Sequence, residues 1–265
     1  MCDGPCSFRR SPPDLLVDRR WARAVSLLRD DEVDRALVIV AHPDDADFWA
    51  GGTVALWTAS GVAVSYLVLT DGDAGGTDPR TDREDIPNIR RAEQRRSASL
   101  LGVEQVGFLG RHEGELAQSP ALRRELVRVI RQVRPQRVVT WSPEWNWARF
   151  RTSCHVDHRA TGELALTAVY PDAGNLFAHP ALARDGLEPW TVSEIWLINS
   201  PQPNHYVDIT DFFELKVRAV EAHVSQVGDR GSMAASLRER IASNTAAAGL
   251  RQGRLAEAFH VVVNR

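Results

Sequence analysis

Two short clusters of histidine and aspartate carry the clearest chemical signal in the chain. His42, Pro43, Asp44 and Asp45 follow directly on an apolar run at 36–41, and His155, Val156, Asp157 and His158 stand together farther along. Two imidazoles and one carboxylate, from His42, Asp45 and His158, can hold one divalent cation and leave a position open for water. That is the pattern of a catalytic rather than a structural zinc site. Asp44, beside a ligand yet free, is then placed to take a proton from that water, whose pKa a bound metal lowers to about 7. His155 and His158 are three residues apart, close to one helical turn, so both rings can face one point as a helix begins. Asp157 can orient one of them and stabilise its charged form.

Taken singly, each residue has an ordinary structural reading. His-Pro after a strand makes a turn, either aspartate can cap the following helix, and a lone histidine is most often solvated or hydrogen-bonded. The conjunction points to a metal, because two acid-and-histidine clusters each follow a strand in a chain with only 8 histidines.

For the clusters to meet, one sheet edge must present both. The β-branched run before His42 reads as a buried strand, whose carboxyl end is where open α/β sheets place ligands. Strands are expected at 37–41, 63–70, 105–109, 137–140 and 194–198. Helices are expected at 49–60, 88–101, 120–133, 158–170, 211–226 and 232–248. This alternation predicts a Rossmann-like three-layer α/β/α fold with a mostly parallel sheet and a C-terminal helical extension. Residues 1–30 are expected to be an N-terminal tail with a short amphipathic helix at 15–28 carrying Trp21, and residues 31–265 a single domain. Two long connections, at 71–87 and 141–157, leave carboxyl ends of strands, where long loops usually wall an active site.

Composition permits a soluble enzyme. The 265 residues are 43% hydrophobic and 25% charged with a net charge of -3, which excludes wholesale disorder and argues against a nucleic-acid partner. No apolar run is long enough to span a bilayer, and no apolar stretch with a cleavage site opens the chain. Cys2, Cys6 and Cys154 do not make a disulfide framework, which favours a cytoplasmic setting. His112-Glu113-Gly114-Glu115-Leu116 lacks the second histidine of a zinc-protease motif, no Gly-x-Ser-x-Gly elbow is present, and the glycines at 75–76 lack the ending of a nucleotide P-loop.

The string Val40-Ala41-His42-Pro43-Asp44-Asp45, then Gly51-Gly52-Thr53, Thr70-Asp71-Gly72-Asp73-Ala74-Gly75, Arg90 to Glu93, His155-Val156-Asp157-His158 and Ala222-His223-Val224-Ser225-Gln226 resemble the PIG-L/LmbE family of deacetylases. The resemblance runs from about residue 37 to 260 and implies hydrolysis of an N-acyl group, usually acetyl on an amino sugar, with Zn2+ or another divalent metal. By position it makes His42, Asp45 and His158 the metal ligands and Asp44 the general base acting on zinc-activated water. His155 would stabilise the oxyanion or act as an acid, with Asp157 holding its charge. Arg90 would contact substrate hydroxyls or phosphate, although pairing with Glu93 on one helix face is the alternative. Glu113 would stand where many members place an aspartate facing the sugar, and Asp71 would shape the pocket mouth. Among Trp141, Trp145 and Trp147, Trp145 is a candidate for stacking on a sugar face. One departure stands beside the site: many members carry Glu after the aspartate pair, where this chain has Ala46 followed by Asp47. The expected partner is a small N-acyl sugar or glycoconjugate, and a homo-oligomer is allowed. The alternatives are an amidase for a larger N-acyl conjugate of a glucosaminyl unit and a non-catalytic sugar-binding relative.

Overall fold

Five parallel strands make the frame that brings the two clusters together. In the computed structural model, which describes residues 26–264 except 77, 79 and 228–232, these are β1 (Arg35–Val40), β2 (Ala63–Thr70), β3 (Gln105–Arg111), β4 (Arg137–Trp141) and β5 (Glu194–Ile198). They coincide with the expected strands to within about two residues at either end. With β6 (His205–Asp208) and β7 (Ala256–Val263), the described residues form one seven-stranded sheet in the order β3-β2-β1-β4-β5-β7-β6. β7 runs antiparallel to both β5 and β6. The C-terminal extension therefore differs from an all-helical one: it ends by returning a strand to the sheet.

The chain leaves β1 toward β2 and β3 on one side and reaches β4 and β5 on the other. The β1–β4 pair is thus the switch point of the sheet, where a crevice opens at the carboxyl ends of the strands. Residues from Ala36 to Ala41 are no more than 1% exposed, as a strand covered on both faces requires.

The helices are α1 (Asp45–Ala59), α2 (Ile86–Leu100), α3 (Pro120–Val133), α4 (Phe150–Ser153), α5 (Val156–Thr167), α6 (Pro180–Arg184), α7 (Phe213–Glu221), α8 (Val224–Val227) and α9 (Met233–Ala247). The expected helix at 211–226 is divided between α7 and α8. The one expected at 15–28 lies outside the described residues apart from 26–28, which carry no regular structure. In α3, Ser119 Oγ accepts from the Leu122 N–H at 3.1 Å and Pro120 takes the first turn. Leu122, Leu126, Val127 and Ile130 then repeat at three- and four-residue spacing and bury one face.

Helix α1, which starts at the site, is held from outside. The carbonyls of Asp47 and Phe48 accept from Lys216 Nζ at 3.0 and 2.8 Å, while the N–H groups of Gly52 and Thr53 donate to Glu257 at 3.0 and 2.8 Å. Lys216 and Glu257 pair at 2.6 Å, with side chains only 0% and 1% exposed. This ion pair adds side-chain hydrogen bonds along one helical turn. Gly52 is needed there because a Cβ would meet Ile209 at 2.6 Å.

Candidate active site

His42 follows β1, and α5, which carries His158, follows the connection that leaves β4, so the two histidines face each other across the switch point. His42 Nδ1 and His158 Nε2 are 3.1 Å apart. The Asp45 carboxylate stands beside both, with Oδ2 at 3.5 Å from His42 Nδ1 and Oδ1 at 3.4 Å from His158 Nε2. Neither aspartate caps α1 through its side chain. Asp45 Oδ2 instead turns back over the end of β1 and accepts from the N–H groups of Ala41 and His42 at 3.1 and 2.9 Å and from Trp141 Nε1 at 3.1 Å.

The outer partners decide what the two imidazoles present inward. His158 Nδ1 lies 2.8 Å from the Thr152 carbonyl, which can only accept, so Nδ1 carries the proton and Nε2 is a lone pair. His42 Nε2 lies 3.0 Å from Asp157 Oδ2, so by the same reasoning Nδ1 is the lone pair. Two lone pairs facing each other at 3.1 Å demand a positive charge between them. Burial opposes charge on His42, yet Asp157, Asp45 and Glu113 outweigh it and push its pKa up to about 10. Burial likewise opposes charge on Asp45, but His158 and His42 hold its carboxyl well below the usual range.

A proton or a metal satisfies this demand equally. The 3.1 Å between His42 Nδ1 and His158 Nε2 is close to the roughly 3.3 Å edge of a tetrahedron with ~2.0–2.1 Å bonds, and one or other Asp45 oxygen lies 3.4 to 3.5 Å from each nitrogen. The residues present therefore fit a divalent cation. Ligating nitrogens of His42, His155 and His158 also lie within 4.8 Å of one another, so His155 is the competing third ligand. Its Nδ1 accepts the Asp157 N–H at 3.3 Å, which leaves Nε2 as an N–H donor in the neutral ring.

Asp157 lies closer to His42 than to His155. Its carboxylate is 3.9 Å from His155 and instead supports His42, while accepting the N–H groups of Gly114 and Leu116 at 2.6 and 3.0 Å. The acid nearest His155 Nε2 is Glu113, at 3.7 Å. Burial works against the Glu113 charge, but His155, His42 and Arg90 lower its pKa.

Asp44 sits at the start of α1 with φ 117°, a region costly for a non-glycine residue. Its N–H donates to Gln94 Oε1 at 2.8 Å. Arg90 Nη2 donates to Asp44 Oδ2 at 3.2 Å and to the Pro43 carbonyl at 2.7 Å, and Nη1 donates to the Gly72 carbonyl at 3.0 Å. Burial pushes the Asp44 carboxyl up, and Arg90 pulls it the other way.

Arg90 is 3% exposed and is a strut beneath Asp44, not a surface contact. It does not pair with Glu93, whose carboxylate accepts from Ser225 N and Oγ at 2.8 and 2.7 Å. The Thr70–Gly75 loop wraps the guanidinium so tightly that a Cβ at Gly72 or Gly75 would fall 2.3 or 2.2 Å from Arg90 Nη1.

Two other candidate residues, Asp71 and Trp145, have partners that the sequence does not reveal. Asp71 is held by both Arg91 Nε, at 2.7 Å, and Nη2, so it ties the loop to α2 and does not line the mouth freely. Asp73 is the more informative neighbour, accepting from Glu113 N at 2.7 Å and bonded to His112 Nδ1 at 2.8 Å. Trp145 is 41% exposed, stacked on Trp147 at 5.2 Å and covered by Arg159 at 4.2 Å. The ring that reaches the site is Trp141, fully buried and stacked on His158 at 3.7 Å.

Ala46 is buried in the apolar core, and Asp47 supplies the outer carboxylate. Its Oδ2 lies 2.7 Å from His223 Nε2 and accepts from Gln94 Nε2 at 2.9 Å, so a chain of polar groups runs from His223 through Asp47 and Gln94 to Asp44 N. Sequence reasoning misses Gln94 because one glutamine in a helix carries no spacing signal.

Comparison with known proteins gives the family. The family model PIG-L, described as GlcNAc-PI de-N-acetylase, matches residues 37–169, and the diacetylchitobiose deacetylase of Thermococcus kodakarensis is 36% identical over 74% of this chain and 71% of its own length. The chain belongs to the PIG-L family. Another relative, the 1D-myo-inositol 2-acetamido-2-deoxy-alpha-D-glucopyranoside deacetylase of Actinosynnema mirum, is 29% identical over 73% of this PIG-L chain and 81% of its own. In three dimensions the chain is similar to N,N'-diacetylchitobiose deacetylase from Pyrococcus horikoshii, with TM-score 0.80, 32% identity and coverage of 88% of this chain and 85% of that one. Among its described residues no helix is long and apolar enough to cross a membrane.

Proposed function

We propose that this PIG-L chain is a metal-dependent hydrolase that removes the N-acetyl group from a small amino sugar or glycoconjugate. The observation that carries the reading is the pair of inward lone pairs on His42 Nδ1 and His158 Nε2, 3.1 Å apart beside Asp45, with the half-buried Asp44 next in the chain. His42, Asp45 and His158 would hold the metal, with zinc the best match to two imidazoles and one carboxylate. When bound, that cation polarises the amide carbonyl and lowers the pKa of water to about 7.

The residues of the chain supply the remaining steps. Asp44, its pKa raised by burial and its carboxylate positioned by Arg90, takes a proton from the attacking water. His155 Nε2–H donates to the oxygen on which charge develops, with the Glu113 carboxylate 3.7 Å away. Asp44 then returns its proton to the departing amine. Asp157, through His42 Nε2, keeps Nδ1 directed inward.

The similarity to deacetylases named for diacetylchitobiose and for N-acetylglucosaminyl-inositol supports an acetylated glucosamine unit as substrate. The experiment is amine release from N,N'-diacetylchitobiose and N-acetylglucosamine by the purified protein, before chelation, after chelation and after restoring zinc. Activity that disappears and returns is the expected result. Undiminished activity after complete metal removal would overturn the reading.

A further inference from the structure

A cavity of about 220 Å³ lies between α1, the β4–α5 connection and α9, and none of the residues assigned to chemistry lines it. Two of its walls are arginines. Arg149 and Arg240 are half-buried, and their guanidiniums lie 5.3 and 5.5 Å from the ring centroid of Trp49. Arg149 Nη2 donates to the Arg240 carbonyl at 3.2 Å, which ties its guanidinium to the backbone of α9 where Arg240 lines the same cavity.

Among the described residues no carboxylate acts on either one: burial lowers both pKa values, and Arg240 lowers that of Arg149 further. Glu257, which lines the cavity, is already engaged by Lys216, Gly52 and Thr53. Asn199 lines it too, and its Oδ1 lies 3.5 Å from Asn146 Nδ2.

Arg137 shows what this fold does when an arginine between aromatic rings is structural. It lies 5.1 and 4.8 Å from the centroids of Trp57 and Trp196, and it is neutralised by Glu194 at 2.9 Å and by Asp30. At Arg149 and Arg240 the same ring contacts recur without the acids. Two like charges in a partly dry wall are unfavourable unless an anion joins them, and guanidinium forks match oxyanions in shape.

We propose that Arg149 and Arg240 form a second ligand site, for a small oxyanion such as the phosphate or carboxylate group of a small molecule. The cavity is smaller than ordinary pockets of roughly 300–1,000 Å³, so the ligand there is an anion with a short body and not a second sugar chain. Trp49 meets Trp141 edge-on at 5.4 Å, and Trp141 stacks on His158, so an occupant is two rings away from His158. The site stands independently of the deacetylase reading.

The test titrates inorganic phosphate and, separately, succinate into the full-length protein at constant ionic strength set with chloride, followed by calorimetry and tryptophan fluorescence. Each titration is run with zinc and after chelation, so binding at the metal is subtracted. At least one anion is expected to bind metal-free protein, and Arg149→Gln with Arg240→Gln is expected to weaken it by at least about tenfold. Phosphate alone identifies a phosphorylated ligand, and succinate alone a carboxylate. The charge-preserving pair, Arg149→Lys with Arg240→Lys, is expected to bind about two- to tenfold more weakly than wild type, and it decides the matter if the glutamine pair does not fold. Amine release from uncharged diacetylchitobiose is expected to be unchanged in the lysine pair. Anion affinity that is unchanged in both pairs, or no binding beyond that of chloride, overturns the proposal.

Discussion

The floor and the rim of the site are built on opposite terms. On the floor, His42, Asp45, Trp141, Asp157 and His158 are no more than 8% exposed, and each is fixed by a hydrogen bond with a neighbouring backbone or side chain. On the rim, Trp145, Trp147 and Phe150 are 41%, 69% and 57% exposed and stack in series. The difference separates two tasks. Groups that hold charge must be positioned to within a fraction of an ångström, which burial and outer hydrogen bonds achieve. Groups that meet the substrate's periphery can be carried by loops.

That contrast can be broken at graded depths. Asp44→Asn removes the proposed base while leaving all three proposed ligands, and kcat is expected to fall by about 10²–10⁴ with metal content unchanged. Beneath α1, Glu257→Gln leaves Lys216 buried without its partner, and denaturant unfolding is expected to show a loss of about 3–5 kcal/mol. Asp157→Asn keeps the shape but removes the charge that supports His42, so a competition titration should find metal affinity reduced about 10–100-fold. At the rim, Trp147→Ala is expected to change stability by no more than about 0.5 kcal/mol. A collapse of stability or metal binding in that last variant would erase the distinction.

The same contrast governs what could be read in the chain itself. β1 is legible because a strand covered on both faces must be apolar throughout, and Ala36 to Ala41 are; β3, at the sheet edge and half-exposed, shows itself only through Val106, Phe108 and Leu109. β6 is four half-buried residues, His205–Asp208, with no apolar run to betray it. β7 mixes Glu257 and His260 among its apolar residues because it meets Lys216 on one side and the Gln202 carbonyl on another. His42, Asp44, Asp45 and His158 announce themselves by residue type and spacing. The partner of Asp157 does not, because it depends on where the amides of Gly114 and Leu116, about forty residues away in sequence, come to lie. Arg90 is legible as a site residue but not as a strut, since only folding shows that Gly72 and Gly75 close over it.

The central claim is that His42, Asp45 and His158, and not His155, enclose the metal. Anomalous scattering at the zinc edge from crystals grown with zinc tests it directly. The expected map has one strong peak bonded to His42 Nδ1, His158 Nε2 and an oxygen of Asp45, with His155 Nε2 free to face the substrate. A peak bonded to His155 in place of Asp45, or no peak at the β1–β4 switch point, would contradict it.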